Sequence, residues 1–233
     1  MNALIFTPDR NTPTKANPKA RDYTGAFRPM ANKFAEHHGI TKEKIIRIDV
    51  SKSMPERKAQ VLAAIQSYHG DLGTKLDSVA FFCHGYPTGI QLGFSWRGKA
   101  DPKPVMDELA QALYAATDRN DICVPLFCCS TADTKKKNVV GGDGGFADEL
   151  RDALCRVGAN ENRVVGHITA GHTTNNPYVR FFDGSLMPEG GTGGYWIARP
   201  GGPMWVKWAK FLREGGWMDM PYMDLEEIRA KLV

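Results

Sequence analysis

Two histidine- and cysteine-bearing tripeptides stand out because each ends an apolar run of strand length. The first is Cys83-His84-Gly85, closing Val79-Ala80-Phe81-Phe82; the second is Cys128-Cys129-Ser130, closing Val124-Pro125-Leu126-Phe127. A thiolate is a nucleophile, and a neighbouring imidazole can activate it and move protons for it. Gly85 lacks a side chain, so its backbone N–H can come close to a substrate carbonyl oxygen. With the Cys129 N–H it would form an oxyanion hole. Cys128 is the fallback nucleophile. Adjacent residues of a strand point to opposite faces, so only one of the two thiols can face His84. The bland readings are a buried structural cysteine at Cys129 and a loop-bonding histidine at His84.

The elements that must position these residues follow from periodicity. Strand-length apolar runs cover Ala3 to Thr7, Ile45 to Val50, Asp77 to Cys83, Ile122 to Cys128 and Arg163 to Thr169. Runs apolar on both faces fit a buried parallel sheet. Helical stripes alternate with them. One covers about Pro29 to His38, with Met30, Phe34 and Ala35 inward. A second starts at a Ser53/Glu56 capping box with Pro55 in its first turn. A third follows the Asp101-Pro102 cap, and a fourth follows Asp143. The order β-α-β-α-β-α-β-α-β, with right-handed crossovers, predicts an α/β fold with a doubly wound, mostly parallel sheet sandwiched by helices, a three-layer flavodoxin-like arrangement. In such sheets ligands bind beyond the carboxyl ends of the strands. The span between His84 and Cys129 holds one hairpin-like piece and one helix, so their strands should be neighbours. Pro125 conflicts with a central strand, because it lacks a ladder donor; a bulge or an edge position is expected there.

The chain reads as a single domain over residues 1–233, with a core to about residue 170. Beyond it lies a glycine- and tryptophan-rich C-terminal region, 171–233, with closing helices at Trp205 to Leu212 and Leu225 to Val233. The tryptophans are expected to pack as a rim. At 233 residues, 42% apolar and 24% charged, the composition is globular. No apolar run reaches membrane-spanning length, and the first residues do not read as a secretory signal. The net charge of +4 is scattered apart from Lys135-Lys136-Lys137, which reads as a solvated loop, so no nucleic-acid or membrane partner is expected. Five cysteines, an odd number without C-x-x-C spacing, argue against a disulfide framework or a zinc ribbon and for a reducing, cytoplasmic setting. His167 and His172 lack a metal-ligand signature, and His37 and His38 read as the end of a helix. Gly141 to Gly145 lacks the Gly-Lys-Ser/Thr ending of a phosphate loop.

At His84-Gly85 and Cys128-Cys129 the chain resembles the caspase-like cysteine peptidases, the group holding caspases, metacaspases, legumains, gingipains and separases. In that group an apolar strand ends in His-Gly, and a later strand ends in a small residue followed by the catalytic Cys. The resemblance spans about Ala3 to Thr169 in element order but only two short motifs in residues. It implies a His84–Cys129 dyad, an oxyanion hole at Gly85 and Cys129, and a protein or peptide substrate. It implies no metal or organic cofactor in the chemistry, although some metacaspases need calcium.

It further implies a substrate-pocket loop after the fifth strand, where Arg180 precedes Gly184-Ser185 as a counterpart of the arginine that binds an acidic P1 residue. The loop after the first strand, with Asp9 and Arg10, would also contribute. Arginines would select an acidic P1 residue; Asp9 and Asp183 would select a basic one. The segment Ser130 to Gly145 matches a place where such peptidases are cut for activation. Two other function classes stay open on the residues alone. One is a flavodoxin-like binding module or inactive scaffold, and the other is a non-peptidase thiol hydrolase or acyltransferase.

Overall fold

The computed structural model describes residues 1–9, 27–70, 75–98, 101–117, 120–133, 145–170, 175–185 and 194–233. Arg10, Lys135 to Lys137, Asp143 and His172 lie outside the described residues, as does most of the expected activation segment.

Each apolar run becomes a strand: β1 (Ala3–Pro8), β2 (Ile45–Ile48), β3 (Ser78–Cys83), β6 (Cys123–Cys128) and β7 (Arg163–His167). A short hairpin, β4 (Gly85–Tyr86) and β5 (Gly89–Ile90), follows β3, and a last strand, β8 (Val179–Asp183), follows β7. The main sheet has the order β2-β1-β3-β6-β7-β8. Its first five strands are parallel, and β8 joins β7 antiparallel. The fold is therefore the expected α/β sandwich with a mostly parallel sheet, and the strands ending at His84 and Cys129 are neighbours.

Helices α2 (Met54–Gly70), α3 (Lys103–Thr117) and α4 (Gly145–Arg156) cover one face. Helices α1 (Phe27–His37), α5 (Trp205–Phe211) and α6 (Leu225–Lys231) cover the other. The strand pleat divides the apolar residues between them. Leu4, Phe6, Val79, Phe81, Val124 and Leu126 face α2–α4, while Ala3, Ile5, Ala80, Phe82 and Phe127 face α1 and the C-terminal helices. The caps behave as their residue types require. The Glu56 carboxylate accepts from the Ser53 N–H at 2.8 Å, and Asp101 accepts from the Lys103 N–H at 2.9 Å.

Three sequence expectations need correction. Pro125 sits neither at an edge nor in a bulge. Cys123 pairs with Ser78, and pairing with β3 resumes at Leu126 opposite Phe81 in unchanged register, so the central strand steps over its missing donor. Arg180, expected on a loop, lies on β8 opposite Gly166. The tryptophans form core more than rim: Trp208 and Trp217 are buried, and Trp96 stacks on Phe146 beneath α4.

Phe34 of α1 anchors the second face. It is fully buried and touches Phe82, Phe127, Trp217 and Tyr222. Truncation at this point leaves a cavity that four aromatic rings cannot close. Phe34→Ala should cost about 3–5 kcal/mol, measured as a fall in the urea midpoint at constant slope.

Candidate functional site

The site forms where β3 and β6 end. Cys83 stands opposite Cys128 in the parallel register, with their sulfurs 3.4 Å apart on the α2–α4 side. By alternation the next residue of each strand, His84 and Cys129, turns toward the α1 side. The His84 ring does meet Phe27 of α1 edge-on, with centroids 4.9 Å apart. Cys128 is fully buried, and burial holds its thiol well above the ordinary range, so it stays protonated. Burial likewise pushes Cys123 up to about 12. Neither is a competent nucleophile. Cys129 is half-buried, beyond the strand end.

After Cys129 the chain makes a tight turn. Ser130 has φ 55°, the one positive φ of a non-glycine among the described residues. Such a conformation costs roughly 1–2 kcal/mol and persists where the surroundings over-determine it. They do so here. The Ser130 N–H donates to Thr169 O at 3.3 Å and the Ala132 N–H to His167 O at 2.9 Å. Thr131 Oγ1 donates to Cys128 O at 3.1 Å, and Thr131 O accepts from the Ala147 N–H of α4 at 2.9 Å.

Gly85 presses on this turn. A Cβ at Gly85 would lie 2.5 Å from Cys129 O, 2.8 Å from Cys128 Cβ and 2.8 Å from Thr131 Cγ2. Only glycine fits, and the two segments assigned to the oxyanion hole are in backbone contact. On the other flank Gly166 leaves room for Thr131 Oγ1, which a Cβ would approach to 2.9 Å.

The β4–β5 hairpin fixes the backbone of His84. The Gln91 N–H donates to His84 O at 2.9 Å, and the His84 N–H donates to Gln91 Oε1 at 3.4 Å. Arg57 of α2 braces that clasp, donating to Gln91 O, Val50 O and Lys52 O at 3.0, 2.6 and 2.9 Å. Sequence reasoning missed Phe27, Gln91, Arg57 and Ser130. The glycines at 89 and 93, which punctuate a short hairpin after His84, are the one signal that could have drawn attention to Gln91.

The remaining candidates separate cleanly. Arg180 reaches the turn, donating to Ala132 O and Gly194 O, both at 3.3 Å, with its guanidinium 5.0 Å over the Phe182 ring. Its Nε has no partner among the described residues. Burial lowers its pKa, and the charges of Asp148 and Asp133 oppose that shift. The β1–β3 register, continued past its last pair, sets Asp9 level with His84. The Asp9 carboxylate accepts from the Val50 N–H at 3.1 Å. Asp183 is a correction. Because β8 runs antiparallel, Asp183 pairs with Arg163 at the opposite end of the sheet, and it bonds that arginine and Ser185. It cannot line a pocket at Cys129.

Comparison with protein-family models, curated proteins and solved structures returned no match.

Two predictions follow from this geometry. Gly85→Ala should destabilise the fold by about 1–3 kcal/mol through overpacking and displace the Cys129 turn, read as a lowered Tm. His167 is buried with no partner for Nδ1 among the described residues, and burial lowers its pKa to about 3. The unfolded chain takes up that proton below about pH 6.5 and the folded chain does not. The stability from His167 is therefore complete above pH 6.5 and is lost as pH falls toward 3. Denaturant titrations between pH 7 and 4 should show this acid loss in wild type and a flatter profile in His167→Gln.

Proposed function

We propose that this chain is a caspase-like cysteine endopeptidase acting through a His84–Cys129 dyad. The observation that carries the reading is the register of Cys83 opposite Cys128. That register makes His84 and Cys129 the next residues of two neighbouring strands, at the end where open parallel sheets bind ligands, and this supports the dyad.

In the proposed reaction the Cys129 thiolate attacks the scissile carbonyl carbon. The Gly85 and Cys129 N–H groups take the developing oxyanion. His84 protonates the amine as the C–N bond breaks, leaving a thioester on Cys129. His84 then removes a proton from water, which attacks the thioester, releases the acid and restores the thiol. No metal or organic cofactor enters these steps.

For the P1 pocket, Arg180 is the candidate that touches the nucleophile's turn, through Ala132 O, and its positive charge would suit an acidic P1 residue. The cytoplasmic assignment rests on five free thiols. No helix among the described residues is long and apolar enough to cross a membrane.

The deciding experiment is digestion of an unbiased peptide mixture with cleavage sites read by mass spectrometry. Wild type should cleave and Cys129→Ala should not, while His84→Ala should lose roughly a thousandfold or more in kcat/KM. Cys128→Ala should keep its activity. Arg180→Ala should raise KM or relax the P1 choice, with Asp183→Asn as the unaffected control. Cleavage by Cys129→Ala at the wild-type rate would refute the dyad, and a basic P1 residue would refute the role of Arg180.

A further inference from the structure

A second cluster of ligating groups lies on the α1 face, away from the strand ends. Helix α1 stops in a glycine-terminated cap: the Gly39 N–H donates to Glu36 O and the Ile40 N–H to Ala35 O, with Gly39 at φ 64°. That ending sets an exposed His37 and a half-buried His38 together at the negative pole of the helix. The opposing group comes from far along the chain. Residues Leu212–Gly216 form a π-type turn with Gly215 at φ 109°, and the chain leaving it brings Asp219 to the two histidines. His37 Nε2 and Asp219 Oδ1 are 2.6 Å apart. One ligand atom from each of His37, His38 and Asp219 lies within 4.8 Å of the others.

We propose that His37, His38 and Asp219 form a binding site for a divalent transition-metal ion, zinc foremost, that clamps α1 to the C-terminal segment. This proposal stands apart from the peptidase reading and survives its failure. Two imidazoles and one carboxylate suit zinc, which is commonly held by three protein ligands with water in the fourth position. Tetrahedral bonds of about 2.0–2.1 Å need ligand atoms roughly 3.3–3.5 Å apart. His37 and Asp219 have side chains 36% and 48% exposed, so they are free to make that adjustment. The open coordination position has room as well. A hollow of about 610 Å³ adjoins the cluster, lined by His37, Asp219, Glu214 and Met218.

The histidine chemistry agrees. His38 Nε2 lies 3.0 Å from Met218 O, next to Asp219, so the ring is already tied to the segment that carries the carboxylate. On ligation through Nε2, His37 keeps its single proton on Nδ1, and any second proton leaves to solvent. The metal would bridge segments already joined by apolar packing, since Trp217 stacks on Phe34 at 6.2 Å. Trp217 and Tyr222 near the site give it a spectroscopic neighbour.

The test is titration of the untagged full chain with zinc by calorimetry, in a Cys129→Ala background so that this half-buried thiol does not compete. One equivalent should bind, and thermal unfolding should shift upward with zinc. Substituting cobalt should give tetrahedral d–d absorption. His37→Ala and Asp219→Asn should each weaken binding by at least tenfold, with folding verified by circular dichroism. Asp219→Asn keeps a hydrogen-bond acceptor for His37, so its loss of affinity reads ligation and not packing. No saturable uptake, or wild-type affinity in either variant, would overturn the site. Should a variant fail to fold, zinc protection of His37 and His38 from diethyl pyrocarbonate in the parent decides the matter, and absence of protection overturns it.

Discussion

Cys83 and Cys128 face each other across two parallel strands, their sulfurs in contact and out of water. The rest of the candidate site depends on this pairing. The register fixes where both strands end, and side-chain alternation then decides which face the next residues take. A slip of one residue would send His84 or Cys129 to the α2–α4 face. The thiols are small enough to let the strands meet, and burial keeps Cys128 protonated and inert beside Cys129. Gly85 completes the constraint from outside, because any side chain there would collide with the Cys129 carbonyl.

Beside that pairing the chain holds a strained turn. Ser130 holds a left-handed conformation, and the turn it belongs to is tied to β7 through Thr169 and His167 and to α4 through Ala147. The histidine side is braced separately, by Gln91 and then Arg57. The two strand ends are thus anchored to different helices, and Gly85 packs against the Cys129 carbonyl where they meet. Rigid anchoring of each half holds the backbones of His84 and Cys129 in a fixed relation.

Much of this was legible in the sequence. Apolar run length located the parallel strands, and the Ser53/Glu56 pair and Asp101 marked helix starts because the Glu56 and Asp101 carboxylates take free N–H groups there. The adjacency of the strands bearing His84 and Cys129 followed from what could fit between them. Strand direction was not legible. The run Val179 to Asp183 has the same apolar alternation whichever way it points, yet its antiparallel docking carries Asp183 to the far end and brings Arg180 to the near one. Pro125 misled for a related reason. Composition records a missing donor but not that neighbouring pairs can hold the strand while one position goes unpaired. The histidines at 37 and 38 were read correctly as a helix end, but their partner Asp219 is distant in sequence, and no local pattern links them.

Helix α1 touches both ends of this account. Phe27, its first residue, lies against the His84 ring, and His37, its last, reaches Asp219. Eleven residues of helix are about 16 Å of stiff rod. Phe27 lies about 10 Å along that rod from Phe34, so a pivot of about 5° there moves the Phe27 end by roughly 0.9 Å, a distance comparable to the misplacement that costs an active site about a hundredfold. The helix is therefore a lever arm, with its fulcrum at the Phe34 cluster. Whatever grips the C-terminal end of α1 sets the seat of the imidazole at the other.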